Sequence, residues 1–181
     1  MEIINKIAKE IKKGKVIVCP TDTVYGLIAD ATNKWAVDKV FKIKKRPKNK
    51  PIPVFVKDLK QAKKLAKIDK KQEKFLKQVW PGKTTVVLNR TKVKIYGADR
   101  KTIALRIPNY KLILDLLKRI NFPLTGTSAN ISNKPPTTKI DEVLKQLKHN
   151  PDLIIDAGNL KKSKPSRIID LTYSKPKVLR K

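Results

Sequence analysis

Three short polar runs hold the residue types that could do chemistry in this chain. Pro20-Thr21-Asp22-Thr23-Val24-Tyr25-Gly26-Leu27 places two hydroxyls and a carboxylate directly after an apolar stretch. Lys44-Lys45-Arg46-Pro47 puts Lys44 and Arg46 together at the end of a helical pattern, spaced so that both can reach one loop. Thr125-Gly126-Thr127-Ser128-Ala129-Asn130 follows another apolar stretch, with small residues that let backbone amides approach an anion. Arginine grips phosphate with a planar bidentate fork, and lysine adds a compact charge. Each run also has a plainer reading, as a helix end that suits cations or as a turn built from ordinary turn residues. Taken in order, the three describe a polar, cationic site. Hydroxyls at several strand ends, with no histidine among them, point to substrate positioning rather than general-base catalysis.

Much standard chemistry is excluded. The chain has no GxxxxGK[ST] phosphate loop and no GxGxxG turn, so side chains and loops must hold any nucleotide. Cys19 is the only cysteine and His149 the only histidine. An internal disulfide and a Cys/His metal cluster are both impossible, no protein-held metal is expected, and a histidine-assisted hydrolase has little material. Cys19 ends the apolar run Val16-Ile17-Val18-Cys19 and reads as core. His149, ahead of Asn150-Pro151, reads as a helix end or surface residue.

The 181 residues, 40% hydrophobic, are expected to form a single domain over 1–181. No apolar run approaches the roughly 20 residues of a membrane span. The stretch from Met1 to Gly14 is amphipathic rather than a signal peptide, which predicts a cytoplasmic protein. The net charge of +29 comes from 37 lysines and 7 arginines against 15 acidic residues. Such a field attracts nucleic acid or phosphorylated ligands. Lysines scattered along nearly every helix are also what compositional bias produces, so the arginines are the more selective signal.

The elements that must position these runs follow from pattern. Ile3, Ile4, Ile7, Ala8 and Ile11 share one helical face, with Gly14 as the stop. Lys15 to Cys19 reads as a buried strand and Val24 to Ala31 as extended chain after a polar turn. A helix over about 35–44 turns Ala36, Val37, Val40, Phe41 and Ile43 inward, and ends ahead of Pro47 because the residue before a proline avoids helical angles. Ile52 to Val56 is a strand. Asp58 and Asp69 cap two helices, the second running to Trp80-Pro81-Gly82. Thr84 to Leu88 and Thr102 to Ile107 are strands, with a weaker one around Val93 to Tyr96. Tyr110 to Ile120 and Ile140 to Leu147 are helices, Leu153 to Asp156, Ile168 to Leu171 and Lys177 to Leu179 are strands, and Gly158 to Pro165 is a loop. Without a strict βαβ rhythm, the pattern predicts an α/β fold with a mixed, twisted sheet flanked by helices.

PTDTVYGL, KKRPKNKP, WPGKTTVVL, TIALRIP and TSANIS resemble, in order, motifs of the YrdC/TsaC family of L-threonylcarbamoyladenylate synthases, from about Lys15 to the C-terminus. The resemblance implies a YrdC-like open twisted sheet with a concave basic face, in the family's single-domain form. It implies that L-threonine, bicarbonate and ATP, with Mg2+, give threonylcarbamoyl-AMP and pyrophosphate. That product would pass to a threonylcarbamoyl transferase complex for the t6A modification of tRNA. Carried over by motif, Lys44, Arg46, Ser128 and Asn130 would hold ATP phosphates and organise the reacting centre. Thr21 would bind threonine, and Arg106 would pair with its carboxylate. Thr102, Lys50 and Arg180 fall at nucleotide-contacting positions, Lys50 where some relatives carry asparagine.

The chain departs from the family pattern at several places. Phe55 stands for a histidine of the longer relatives, Asn133 for a glycine, and Pro136, next to Thr137, for a serine. Arg167 follows Ser166 where threonine is common. Two other readings remain. An RNA-binding module for tRNA or ribosome maturation is supported by charge but opposed by 6% aromatic residues and no aromatic-interleaved stripe. Related carbamoyl-adenylate domains of hydrogenase maturation proteins sit in much longer chains with zinc-binding cysteines, and this chain has neither feature.

Overall fold

The computed structural model describes residues 2–148 and 150–181, so the expectation for His149 lies outside the described residues. Asparagine and aspartate start three of the helices. Asn33 Oδ1 accepts from Ala36 N at 3.2 Å to open α2 (Lys34–Lys44). Asp58 accepts from Gln61 N at the head of α3 (Leu59–Leu65). Asp69 and Gln72 form a reciprocal capping box on α4 (Lys70–Val79), satisfying donors that the first turn leaves free. The remaining helices are α1 (Glu2–Lys12), α5 (Lys111–Ile120) and α6 (Ile140–Leu147).

Among the described residues, ten short strands divide between two mixed sheets. β1 (Ile17–Cys19), β2 (Gly26–Ile28), β7 (Thr127–Ser128) and β8 (Leu153–Ile154) form one, in the order β7-β2-β1-β8. The other contains β3 (Val54–Phe55), β4 (Thr84–Asn89), β5 (Thr102–Arg106), β6 (Leu124–Thr125), β9 (Arg167–Asp170) and β10 (Lys177–Arg180), in the order β10-β9-β4-β5-β3-β6. This is the expected α/β class, with the strands split because several are only two or three residues long.

The smaller sheet is covered on both faces. Val16, Val18 and Leu27 pack with Val37, Val40 and Val143 of α2 and α6. Ile17, Cys19 and Ile28 pack with Ile7, Ile11, Ile113 and Leu117 of α1 and α5, so Cys19 is core, as expected. On one face of the larger sheet only Phe55 and Leu124, on β3 and β6, join the cluster with α1 and α5, whereas the opposite face is covered by helices. There Val54, Val86, Leu88, Ile103, Leu105 and Ile169 meet Ala62, Leu65 and Leu76 of α3 and α4. Since side chains alternate along a strand, every second residue of β3, β4, β5 and β9 is left to the other face.

The segment from Val93 to Tyr96, expected as a weak strand, is a loop. Tyr96 N bonds Ala31 O, whereas Gly97 O accepts from Ile52 N, so two different segments share the partners and no ladder forms. The Arg90 guanidinium closes the loop by donating to Val93 O (2.9 Å) and Asp99 O (2.8 Å).

Gly126 is where the chain passes from β6 in one sheet to β7 in the other. The seam is tied beside it: Thr125 N donates to Ala29 O (2.8 Å), and Gly126 N to Pro53 O (2.7 Å). A Cβ on Gly126 would lie 2.6 Å from two ring carbons of Phe55, whose ring is locked in a buried position. Gly126→Ala is therefore expected to lower stability by about 1–3 kcal/mol through overpacking, read as a lower denaturant midpoint with an unchanged slope.

Candidate functional site

The largely uncovered face of the larger sheet forms one side of a cleft of about 480 Å³. Thr102, Ala104 and Arg106 project into it from β5, flanked by Phe55, Val87, Ile168 and Asp170 from neighbouring strands. Thr21 and Thr23 to Gly26, with Thr127 and Ser128, line it from the smaller sheet and the turn after β1. Arg46, following α2, and Arg180, on β10, complete the lining. Three of the chain's 7 arginines thus line the cleft, and none of its 37 lysines does. The local charge is carried by forks suited to planar or phosphate oxyanions, while the lysine excess lies elsewhere.

The two signature cations diverge at the end of α2. Lys45, the C-cap, takes a left-handed conformation (φ 48°), and Arg46 N bonds back to Phe41 O. The reversal sends Lys44 inward and Arg46 toward the cleft. Lys44 is 2% exposed, and its Nζ donates to Ser128 O (2.5 Å), Asn130 O (2.9 Å) and Asn130 Oδ1 (3.0 Å). Burial, with a smaller push from the Arg46 charge, brings the Lys44 pKa down to about 7. The three facing oxygens act the other way, since they use all three N–H groups of the ammonium.

Asn130 is equally committed. Its Oδ1 also accepts from Ser128 Oγ (2.6 Å), and its Nδ2 donates to Ile131 O (3.0 Å) and Lys134 O (2.6 Å). Lys44 and Asn130 therefore sit beneath the cleft, and Arg46 and Ser128 line it. Asn133 adopts φ 70°, the left-handed conformation for which asparagine substitutes for glycine.

Arg46 is half-buried and held from one side. Its Nε donates to Lys50 O (2.9 Å) and its Nη2 to Pro51 O (2.8 Å). Burial lowers its pKa, but a guanidinium stays charged. The Lys50 side chain is exposed and outside the cleft lining, so this residue meets the site through its carbonyl.

Arg106 is 3% exposed. Its Nε donates to Gly82 O (2.8 Å), its Nη2 to Asp22 Oδ1 (2.5 Å) and its Nη1 to Thr23 Oγ1 (3.4 Å). Its guanidinium carbon lies 5.7 Å from the Phe55 ring centre. Burial depresses its pKa and the Asp22 charge opposes that. Thr21 Oγ1 accepts from Thr23 N and donates to Val24 O, which shapes the turn after β1.

Arg180 fixes the far strand, with Nε and Nη2 both donating to Ser166 O at 2.9 and 2.6 Å. Thr102 bonds Asp99, whose carboxyl is held below its usual range mainly by the Lys101 amide. Thr137 is used at the head of α6, bonding Glu142 and Lys139 N, and neither it nor Pro136 lines the cleft. The expected loop from Gly158 is tied at its start by Tyr25, whose hydroxyl donates to Gly158 O (2.6 Å) and accepts from Ala157 N (3.1 Å).

Sequence reasoning overlooked Asp99, Asp170 and Tyr25 as lining residues. The period-two alternation through Ile168 and Asp170 held the signal for the second, and Asp99 lies just ahead of the Thr102 motif. Among the described residues no group of three or more His, Cys, Asp or Glu is placed to hold a metal ion. No described helix is long and apolar enough to cross a membrane.

A family profile named for Sua5, YciO and YrdC, and described as "Telomere recombination", matches residues 9–181. A Methanocaldococcus jannaschii protein, provisionally named a threonylcarbamoyl-AMP synthase, is 37% identical over 174 residues, 96% of this chain and 83% of its own. The Pyrococcus abyssi threonylcarbamoyl-AMP synthase is 35% identical over 94% of this chain, which spans only 51% of that protein's length. The P. abyssi Sua5 structure complexed with L-threonine superposes with a TM-score of 0.89 at 34% identity, covering 98% of this chain and 53% of that one. Escherichia coli YciO, which is uncharacterised, superposes at 0.90 with 30% identity over 99% of this chain and 89% of its own. By profile, sequence and fold, the chain belongs to the Sua5/YciO/YrdC family.

Proposed function

We propose that the chain is an L-threonylcarbamoyladenylate synthase. The observation that carries this reading is the convergence of Arg46, Arg106 and Arg180, from three separate elements, on one cleft that contains no lysine. A reaction between two anions needs that arrangement. The amine of threonine takes up bicarbonate, with loss of water, to form a carbamate. A carbamate oxygen then attacks the α-phosphorus of ATP, and pyrophosphate leaves. Arg46 and Arg180 offset the charge of the phosphates, and Arg106 receives the amino acid carboxylate. Ser128 supplies a hydroxyl at the reacting centre and Thr102 contacts the nucleoside. Among the described residues no group of three or more His, Cys, Asp or Glu is placed to hold Mg2+, which would come with the ATP and would supply charge neutralisation.

Lys44 and Asn130 support this chemistry from below, by holding the Ser128 turn. That differs from a direct phosphate contact for both residues, and variants separate the two roles. Arg46→Ala is expected to lower kcat by about 100-fold or more with an unchanged melting temperature. Lys44→Met removes three hydrogen bonds and leaves Asn130 O without its donor, whereas Ser128 O keeps Asn130 N and Asn130 Oδ1 keeps Ser128 Oγ. It is expected to lose about 1–3 kcal/mol of stability together with activity. Equal stability losses in both variants would remove the distinction.

Arg106→Ala would leave Asp22 buried and unpaired, so Arg106→Lys is the cleaner change: charge remains and the fork is lost. It is expected to raise the threonine KM by about tenfold, with the ATP KM changed by less than about threefold. Parallel rises in both would count against Arg106 as the carboxylate partner.

A second reading, RNA binding, is favoured by the placement of the lysine excess outside the cleft together with Trp35, which is 80% exposed. Pyrophosphate release from ATP and magnesium, with threonine and bicarbonate each supplied or omitted, decides between them. Release that requires both co-substrates is expected. No release under any combination, from folded protein that retains RNA, would transfer the assignment to the second reading.

A further inference from the structure

Asp22 has no assigned role in the site, yet it makes the one ion pair among the described residues that involves an arginine. The Asp22 and Arg106 side chains are 8% and 4% exposed, whereas every other pair uses a lysine at least 39% exposed. A buried pair is costly to desolvate and is weak support for stability, so its geometry needs another reason. Asp22 Oδ1 takes Nη2 of Arg106, and its Oδ2 accepts from Asn109 N at 3.0 Å, which anchors the carboxylate. Gly82 O holds the guanidinium from Nε and Phe55 lies against it. The plane of Arg106 is thus fixed on several sides, and much of its charge is cancelled from within the protein.

We infer that Asp22 is a positioning and specificity residue that keeps polyphosphate out of the Arg106 subsite. The inference rests on the assignment of the threonine carboxylate to Arg106. A cleft that receives a polyanion and an amino acid together must stop the polyanion from occupying both positions. Arg46 and Arg180 are held only by neutral oxygens, so their full charge faces the cleft. Arg106, already paired, attracts a polyanion weakly, while its fixed orientation still offers N–H groups to a planar carboxylate. Binding at that subsite then depends on shape more than on field.

The test is inhibition by inorganic pyrophosphate, with threonine varied at saturating ATP, in the full chain and in Asp22→Asn and Asp22→Glu. The native protein is expected to show no competition between pyrophosphate and threonine. Asp22→Asn is expected to make pyrophosphate competitive with threonine, and to raise the threonine KM by about tenfold or more. Asp22→Glu should restore most of the native pattern. The Arg106 Nε–Hε NMR signal, one of only seven from arginine, should shift in Asp22→Asn independently of turnover.

Competitive inhibition in the native protein overturns the inference without any variant, even if Asp22→Asn fails to fold. A folded Asp22→Asn with native inhibition and a native threonine KM overturns it as well. Failure of the underlying assignment reads differently: threonine affinity, measured by calorimetry, would then be unchanged in Arg106→Lys.

Discussion

The buried ammonium of Lys44 is the contact on which the cleft depends. It reaches from the last residue of α2 to two main-chain carbonyls and one amide oxygen of the turn after β7. Burying a lysine charge costs several kcal/mol, and only a complete set of acceptors offsets that. The set is complete here, so the interaction is cooperative rather than optional. Lys44 cannot leave without breaking three hydrogen bonds and depriving Asn130 O of its donor, and the turn cannot move without stranding the charge. Ser128 is thereby held at the cleft surface by a cation that does not itself line the cleft.

Cations near the cleft are consequently sorted by environment. Lys44 is consumed by structure, Arg106 is half-neutralised by Asp22, and Arg46 and Arg180 are braced by carbonyl or hydroxyl oxygens that leave their charge uncancelled. A sequence reports all four simply as positive residues. What distinguishes them is the number and charge of their partners. The same sorting bears on the net charge of +29: absence of lysine from the cleft lining means that the global excess and the local site are separate matters.

The sequence made the scaffold legible wherever a local rule was enough. Asp58 and Asp69 cap helices as their types demand, Cys19 is core, and the alternation in Thr102–Arg106 divides one strand between core and cleft. Six of the nine carried-over site residues line the cleft: Thr21, Arg46, Thr102, Arg106, Ser128 and Arg180. Lys44, Lys50 and Asn130 do not. Lys44 parts from Arg46 because Lys45 takes a left-handed conformation that neither glycine nor asparagine advertises, and Asn130 is drawn in by its bonds to Ser128, Ile131 and Lys134. The loop from Val93 to Tyr96 was hidden because the neighbouring Arg90 side chain takes the Val93 carbonyl that a strand partner would need.

The division into two sheets explains why so few residues carry so much of the site. A one-sheet fold could place substrate groups along one surface only. Here β6, Gly126 and β7 carry the chain from one sheet to the other within five residues, and the cleft opens where the sheets part. Gly126 has no side chain to keep it from the Phe55 ring, and that same ring supports Arg106. The crossing point is therefore packed against the ring that backs Arg106 in the cleft, while Lys44 fixes the turn that follows it. Arg106 and Ser128 come from different sheets, so the separation between them depends on this junction staying closed. Rigidity at Gly126 and Lys44 would thus be part of the proposed chemistry, since two anions react only if their separate cradles hold a constant distance.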